Sequence, residues 1–224
     1  MAVSVEKIVC PPPRPDRDPL KMGIFAGLHG DEPAGMLACR ELVAWAAQKP
    51  AELLGYEVHI YPECNPSGCQ ARTRESHCGL DLNREFWRGS AQPEVIFLES
   101  HLRRERYDGI IALHSDDTSD GVYGFVSGAL LSQHVLEPAL AAAAMMLPRN
   151  SAHVIDGFRA ENGIIKEGYS GVLCAPPEQH PRPLEIVFET PSAAPLPLQV
   201  EATVFAVVTI LKEYRMLLAY AQNL

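Results

Sequence analysis

The stretch MGIFAGL (Met22–Leu28), which runs straight into HGDEP (His29–Pro33), is a nearly unbroken apolar run halted by a polar, glycine-bearing segment. A short apolar run that stops this abruptly reads as a buried strand ending in a loop. A helix is expected at once, because Pro33 suits a first helical turn, where the missing N–H costs nothing. Ala34 to Gln48 follows with Met36, Leu37, Leu42, Val43 and Trp45, an apolar pattern suited to packing on a sheet. The opening unit is therefore strand, loop, helix.

Working outward, Tyr56–Tyr61 (YEVHIY) reads as a second strand ending in the turn-forming stretch PECNPSG, and Asp108–Leu113 (DGIIAL) as a third ending in HSDDTSDG. A helix is expected over Pro93 to Arg106, a strand over Gly121 to Ser127, an alanine-rich helix over Ala129 to Leu147, a strand over Leu184 to Phe188 and a closing helix over Gln199 to Gln222. Strands alternating with helices predict an α/β fold: a three-layer sandwich, mixed and largely parallel in its sheet, with helices on both faces and one domain over residues 1–224. Ligands of such folds sit beyond the carboxyl ends of the strands. His29, Asn65, His114 and Glu189 all fall at such ends.

Composition narrows the function. With 224 residues, 47% apolar and 21% charged, the chain has the balance of a globular domain large enough for its own core. A net charge of -9 without a basic stripe argues against nucleic acid as a partner. No signal-peptide pattern and no uncharged span of about 20 residues is seen, so the expectation is a cytoplasmic protein that does not enter a membrane. Cys10, Cys39, Cys64, Cys69, Cys78 and Cys174 are irregularly spaced and read as reduced thiols rather than as a disulfide or zinc framework. Nothing in the sequence speaks to oligomeric state.

His29 and Glu32, three residues apart with Gly30 between them, can turn a ring nitrogen and a carboxylate oxygen toward one point. A catalytic zinc takes about three protein ligands. The pair alone would equally suit an exposed loop with a helix-capping acid. A third donor changes the balance, and His114 in IIALHSDD stands at a strand end. His59 lies within a strand, and His77, His101, His134, His153 and His180 lack a strand-end setting. Asp31 fits either a carboxylate favoured by the helix dipole or a partner to a ligand imidazole.

Taken in order, LHGDEP (Leu28–Pro33), NPSG (Asn65–Gly68), RTR (Arg72–Arg74), LDLNREF (Leu80–Phe86), LHS (Leu113–Ser115) and FETP (Phe188–Pro191) resemble the zinc carboxypeptidase superfamily, and within it the succinylglutamate desuccinylase and aspartoacylase branch. The resemblance covers residues 28–191. It implies a zinc carboxypeptidase-like fold with one Zn²⁺ per chain, held by His29, Glu32 and His114, and Glu189 as general base. It also implies Asn83 and Arg84 as the pair that holds a substrate carboxylate, and an arginine that polarises the scissile carbonyl, either Arg74 or Arg72, with Arg74 preferred. Tyr169 stands where carboxypeptidases keep a mobile tyrosine, or is an ordinary loop residue. Glu185 shares a strand face with Glu189, so alternation cannot choose between them, and the FETP match selects Glu189.

The activity implied is zinc-dependent hydrolysis of an amide bond next to a free carboxylate, by a carboxypeptidase or an N-acyl amino acid deacylase. The substrate would be a small carboxylate-bearing amide or a short peptide. A non-catalytic metal- or ligand-binding module on the same fold is the alternative.

Overall fold

The structure is a computed structural model that describes residues 5–14, 18–167 and 172–221. The chain divides into two compact units, the first of residues 1–114 and 169–185, the second of 115–168 and 186–224.

The first unit carries β1 (Ile8–Cys10), β2 (Leu20–Phe25), α1 (Pro33–Gln48), β3 (Tyr56–Tyr61), α2 (Pro66–Ala71), α3 (Pro93–Glu105) and all but the last two residues of β4 (Gly109–Asp116). Its strands lie in the order β1-β3-β2-β4. β2 runs parallel to β3, with Met22 opposite Val58, and parallel to β4, with Met22 opposite Gly109. β1 is antiparallel to β3. Apolar residues of Met22–Phe25 are wholly buried, as an all-apolar strand in a parallel sheet requires. Phe25 stacks on Tyr61 with ring centroids 4.6 Å apart, and Leu82, Phe86, Val95, Leu98 and Leu102 complete the core against α3.

The second unit holds β5 (Tyr123–Val126), α4 (Ala129–Leu131), α5 (Glu137–Ala143), β6 (Val154–Ile155), β7 (Phe158–Arg159), β8 (Ile164–Ile165), most of β9 (Leu184–Pro191) and α6 (Leu196–Ala221). Here the order is β9-β5-β8, with β5 antiparallel to β9 and parallel to β8. Asp156 and Gly157, both at positive φ, make the two-residue turn of the β6–β7 hairpin. α6 buries Gln199, Ala202, Thr203, Ala206, Val207, Ile210 and Leu211, a single stripe at helical spacing. Among the described residues, no helix is long and apolar enough to cross a membrane.

The fold is α/β, with a mixed, mostly parallel sheet and helices. Several boundaries differ from expectation for identifiable reasons. The strand expected over Met22–Leu28 ends at Phe25, which lengthens the loop before α1. β4 runs on through His114 to Asp116, since Ser192 donates its backbone N–H to the Asp116 carbonyl at 2.9 Å and prolongs the ladder. The alanine-rich segment is not one helix: a wide π turn at Ser132–Leu136 separates α4 from α5. Pro138 has no N–H to give the preceding turn and its ring crowds the carbonyl four residues back, which favours that widening. α2 replaces part of an expected turn, because Asn65 caps it and Pro66 fills its first position.

Candidate metal centre

Between β2 and α1 the chain crosses residues 26–32 as a loop, and His29 and Glu32 lie on it. Gly27 takes φ +65, and a side chain there would meet the Pro62 carbonyl at 2.9 Å, so the loop's entry needs glycine. Glu32 immediately precedes α1, which sets its carboxylate at the positive end of the helix dipole. His114 projects from β4, the parallel neighbour of β2.

All three side chains are buried. His29 Nδ1 is 2.6 Å from Glu32 Oε1 and His114 Nδ1 is 3.1 Å from Glu32 Oε2, with the two imidazole centroids 5.0 Å apart. One donor atom from each residue falls within 4.8 Å of the others. Two imidazoles and one carboxylate, converging from a loop and a strand, match the three-donor sets of catalytic zinc, so the residues present fit that ion.

The electrostatics follow from close packing of opposite charges. Burial pulls the His29 pKa down, but hydrogen bonds to Asp81 and Glu32 outweigh it and raise it to about 9. Burial wins at His114, which is lowered despite Glu32. Glu32 is itself pushed up by burial and more than compensated by the charge and hydrogen bonds of His114 and His29, which hold it below the usual carboxylate range.

Asp81, to which the sequence motifs assigned no role, is a member of this site. His29 Nε2 donates to Asp81 Oδ1 at 3.2 Å, the Asn83 backbone N–H donates to the same oxygen at 2.9 Å, and Arg74 donates to Oδ2 at 3.1 Å. A carboxylate on the far nitrogen of a ligand imidazole fixes its tautomer and ring direction. The available signal was the position of Asp81 inside DLNR, two residues before Asn83.

Of the two arginines, Arg74 faces the centre, 3.5 Å from Glu32 Oε1 as well as bonded to Asp81. Arg72 is exposed and ends α2 in the left-handed conformation, φ 57. Asn83 and Arg84 sit on a short 3-10 turn, Leu82–Arg84. Asn83 is buried and its Oδ1 accepts from the Leu173 backbone N–H at 2.9 Å, so Nδ2 is the donor it can offer a ligand. Glu185 accepts from the Ala175 backbone N–H at 2.7 Å and pairs with Arg182, which gives it a structural task. Asp31 is exposed. In the second unit Glu189 stands on β9 directly across from Tyr123, whose hydroxyl donates to Asp116 Oδ2 at 2.9 Å. Tyr169 lies outside the described residues.

Residues 19–156 match the family model described as the succinylglutamate desuccinylase/aspartoacylase catalytic domain, which is more than half of the chain. The chain belongs to this family. A candidate metallopeptidase from Shewanella baltica OS155 shares the fold with a TM-score of 0.75 at 20% identity, over 89% of this chain and 78% of that one. A second, from Shewanella denitrificans OS217, matches with a TM-score of 0.75 at 21% identity, over 93% and 79%. A metallo-carboxypeptidase from Pseudomonas aeruginosa, in complex with (2-guanidinoethylmercapto)succinic acid, matches with a TM-score of 0.66 at 18% identity, over 93% of this chain and 60% of that one. By sequence, an uncharacterized protein of Zymomonas mobilis is 34% identical over 68 residues, which is 29% of this family member and 18% of the relative.

Proposed function

We propose that this family member is a zinc-dependent hydrolase that cuts an amide bond adjacent to a free carboxylate. The observation that carries the reading is the convergence of His29, Glu32 and His114 within 4.8 Å. One zinc per chain, when bound there, supplies Lewis acidity that acidifies water and polarises a carbonyl.

The chain's own residues then take the following parts. Glu189, matched through FETP, accepts a proton from the attacking water and returns it to the leaving nitrogen, a role that contributes about 10² to 10⁴ in rate. Arg74, beside Glu32, is the cation that neutralises charge developing on the carbonyl oxygen. Arg84 clamps the substrate carboxylate in a bidentate fork and the Asn83 amide donates alongside. Asp81 holds the His29 ring in place. Tyr169 and Arg72 are assigned as further substrate contacts. The (2-guanidinoethylmercapto)succinic acid bound by the Pseudomonas aeruginosa protein supports a carboxylate-bearing small molecule or short peptide as the substrate class.

The test is hydrolysis of a panel of N-acyl amino acids and C-terminal peptides by the purified, zinc-loaded protein, beside Glu189→Gln. Turnover of either class, reduced at least a hundredfold by the substitution, supports the reading. Absence of turnover, or a rate that Glu189→Gln leaves unchanged, refutes it.

A further inference from the structure

The loop that carries His29 is stitched to the segment that follows β3. Cys64 donates its backbone N–H to the Ala26 carbonyl at 2.9 Å, Asn65 donates its own to Gly27 at 2.8 Å, and Gly30 donates to the Thr73 carbonyl at 2.9 Å. The two backbones touch so closely at one point that a Cβ on Gly30 would lie 1.9 Å from the carbonyl carbon of Gly68. Between these stitches lies the Leu28 carbonyl, which accepts from a side chain: Asn65 Nδ2 donates to it at 3.2 Å. The Asn65 Oδ1 meanwhile accepts from the Gly68 backbone N–H at 3.0 Å and from Ser67 Oγ at 3.2 Å. Asn65 is completely buried.

Capping α2 alone does not call for asparagine. Aspartate and serine cap a helix about as well, since only an acceptor oxygen is needed. Only the amide offers an acceptor and a donor from one planar group. The donor is spent on the peptide between Leu28 and His29, whose carbonyl and N–H share one rigid plane. Holding that plane fixes the axis about which His29 leaves the backbone, and therefore where its imidazole points.

We infer that Asn65 is a positioning residue of the metal centre, its amide locking the peptide before His29 onto the cap of α2. The inference rests on the zinc reading above. Its reach is longer than one ligand, because α2 leads through Thr73, whose N–H bonds the Gly68 carbonyl at 3.0 Å, to Arg74.

Asn65→Asp keeps an acceptor for the cap and removes the donor to Leu28, and Asn65→Ser keeps the acceptor on a shorter side chain that no longer spans the cap and the Leu28 carbonyl with two separate atoms. Zinc affinity of the full-length wild type and both variants is measured by competition with a chromophoric chelator, alongside thermal melts of the metal-free proteins. The expected result is one zinc on the wild type, affinity weakened about 10- to 100-fold in both variants, and metal-free melts close to the wild type's. Variants with undiminished affinity, beside a wild type that binds one zinc, overturn the inference and leave the zinc reading standing. A wild type that binds no zinc overturns both. Affinity and metal-free melting temperature falling together assign Asn65 a general folding role and also overturn it. If neither variant folds, Ser67→Ala, which removes the hydroxyl bond to Oδ1 together with the bond that the Ser67 hydroxyl accepts from the His77 N–H, is expected to weaken zinc several-fold, and unchanged affinity there overturns the inference.

Discussion

His29 is gripped from both sides: its Nε2 donates to Asp81 Oδ1 at 3.2 Å while its Nδ1 faces Glu32 Oε1 at 2.6 Å. The ring therefore has one nitrogen committed to orientation and one presented to the site. Asp81→Asn keeps the shape but loses the charge, and Asp81→Ala loses both. Zinc affinity is expected to fall about 10-fold for the first and toward 100-fold for the second, read by chelator competition.

Arg74 bonds Asp81 and lies within ion-pair distance of Glu32. If it stabilises the developing oxyanion, Arg74→Ala lowers kcat about 10²- to 10³-fold and leaves KM within a few-fold, in steady-state kinetics on whichever substrate class is turned over. Arg74→Lys recovers only part of the loss, because a point charge cannot reproduce the guanidinium fork.

Gly30→Ala inserts a methyl group into backbone rather than into a movable side chain, at 1.9 Å from the Gly68 carbonyl carbon. Overpacking of this kind costs about 1–3 kcal/mol or more. A urea titration is expected to show a lower midpoint with an unchanged slope, together with weakened zinc binding.

Far from the centre, Glu105 receives Lys7 at 3.0 Å, Lys21 at 3.3 Å and Arg104 at 2.8 Å. Burial pushes its carboxyl up, but bonds from Arg104 and Lys7 outweigh this and lower it to about 2, against an ordinary 4.5. A carboxyl lowered on folding stabilises fully above its unfolded value and loses that contribution as pH falls from 4.5 toward 2. His59, bonded to Tyr107 and Glu57 at 2.9 Å each, is lowered chiefly by burial, so the unfolded chain takes up its proton first and stability drops as pH falls through 6.5. Melting temperature is expected to decline on acidification through both windows, the lower decline smaller in Glu105→Gln and the upper one smaller in His59→Gln.

Much of the first unit could be read from periodicity. β3 has the expected bounds, α1 begins at Pro33 and α3 begins at Pro93, because strong apolar patterns end there at proline, glycine or polar clusters. What escaped was either too short to show a period, as with β1, or depended on partners distant in sequence. The run of β4 past Leu113 through His114 depends on Ser192, and the role of Asp81 depends on a residue 52 positions earlier. The choice between Arg72 and Arg74 is likewise a matter of backbone direction, since Arg72 closes α2 and turns outward while Arg74 lies beyond that turn. Helix-start chemistry was present in Asn65-Pro66 but was masked by its equal suitability for a turn.

The most direct test is elemental analysis of the full chain purified without an affinity tag and dialysed against metal-free buffer. One zinc per chain is expected, falling below a tenth of that in His114→Ala under the same dialysis. Wild-type protein that carries no stoichiometric divalent metal and takes up none on titration with zinc would contradict it.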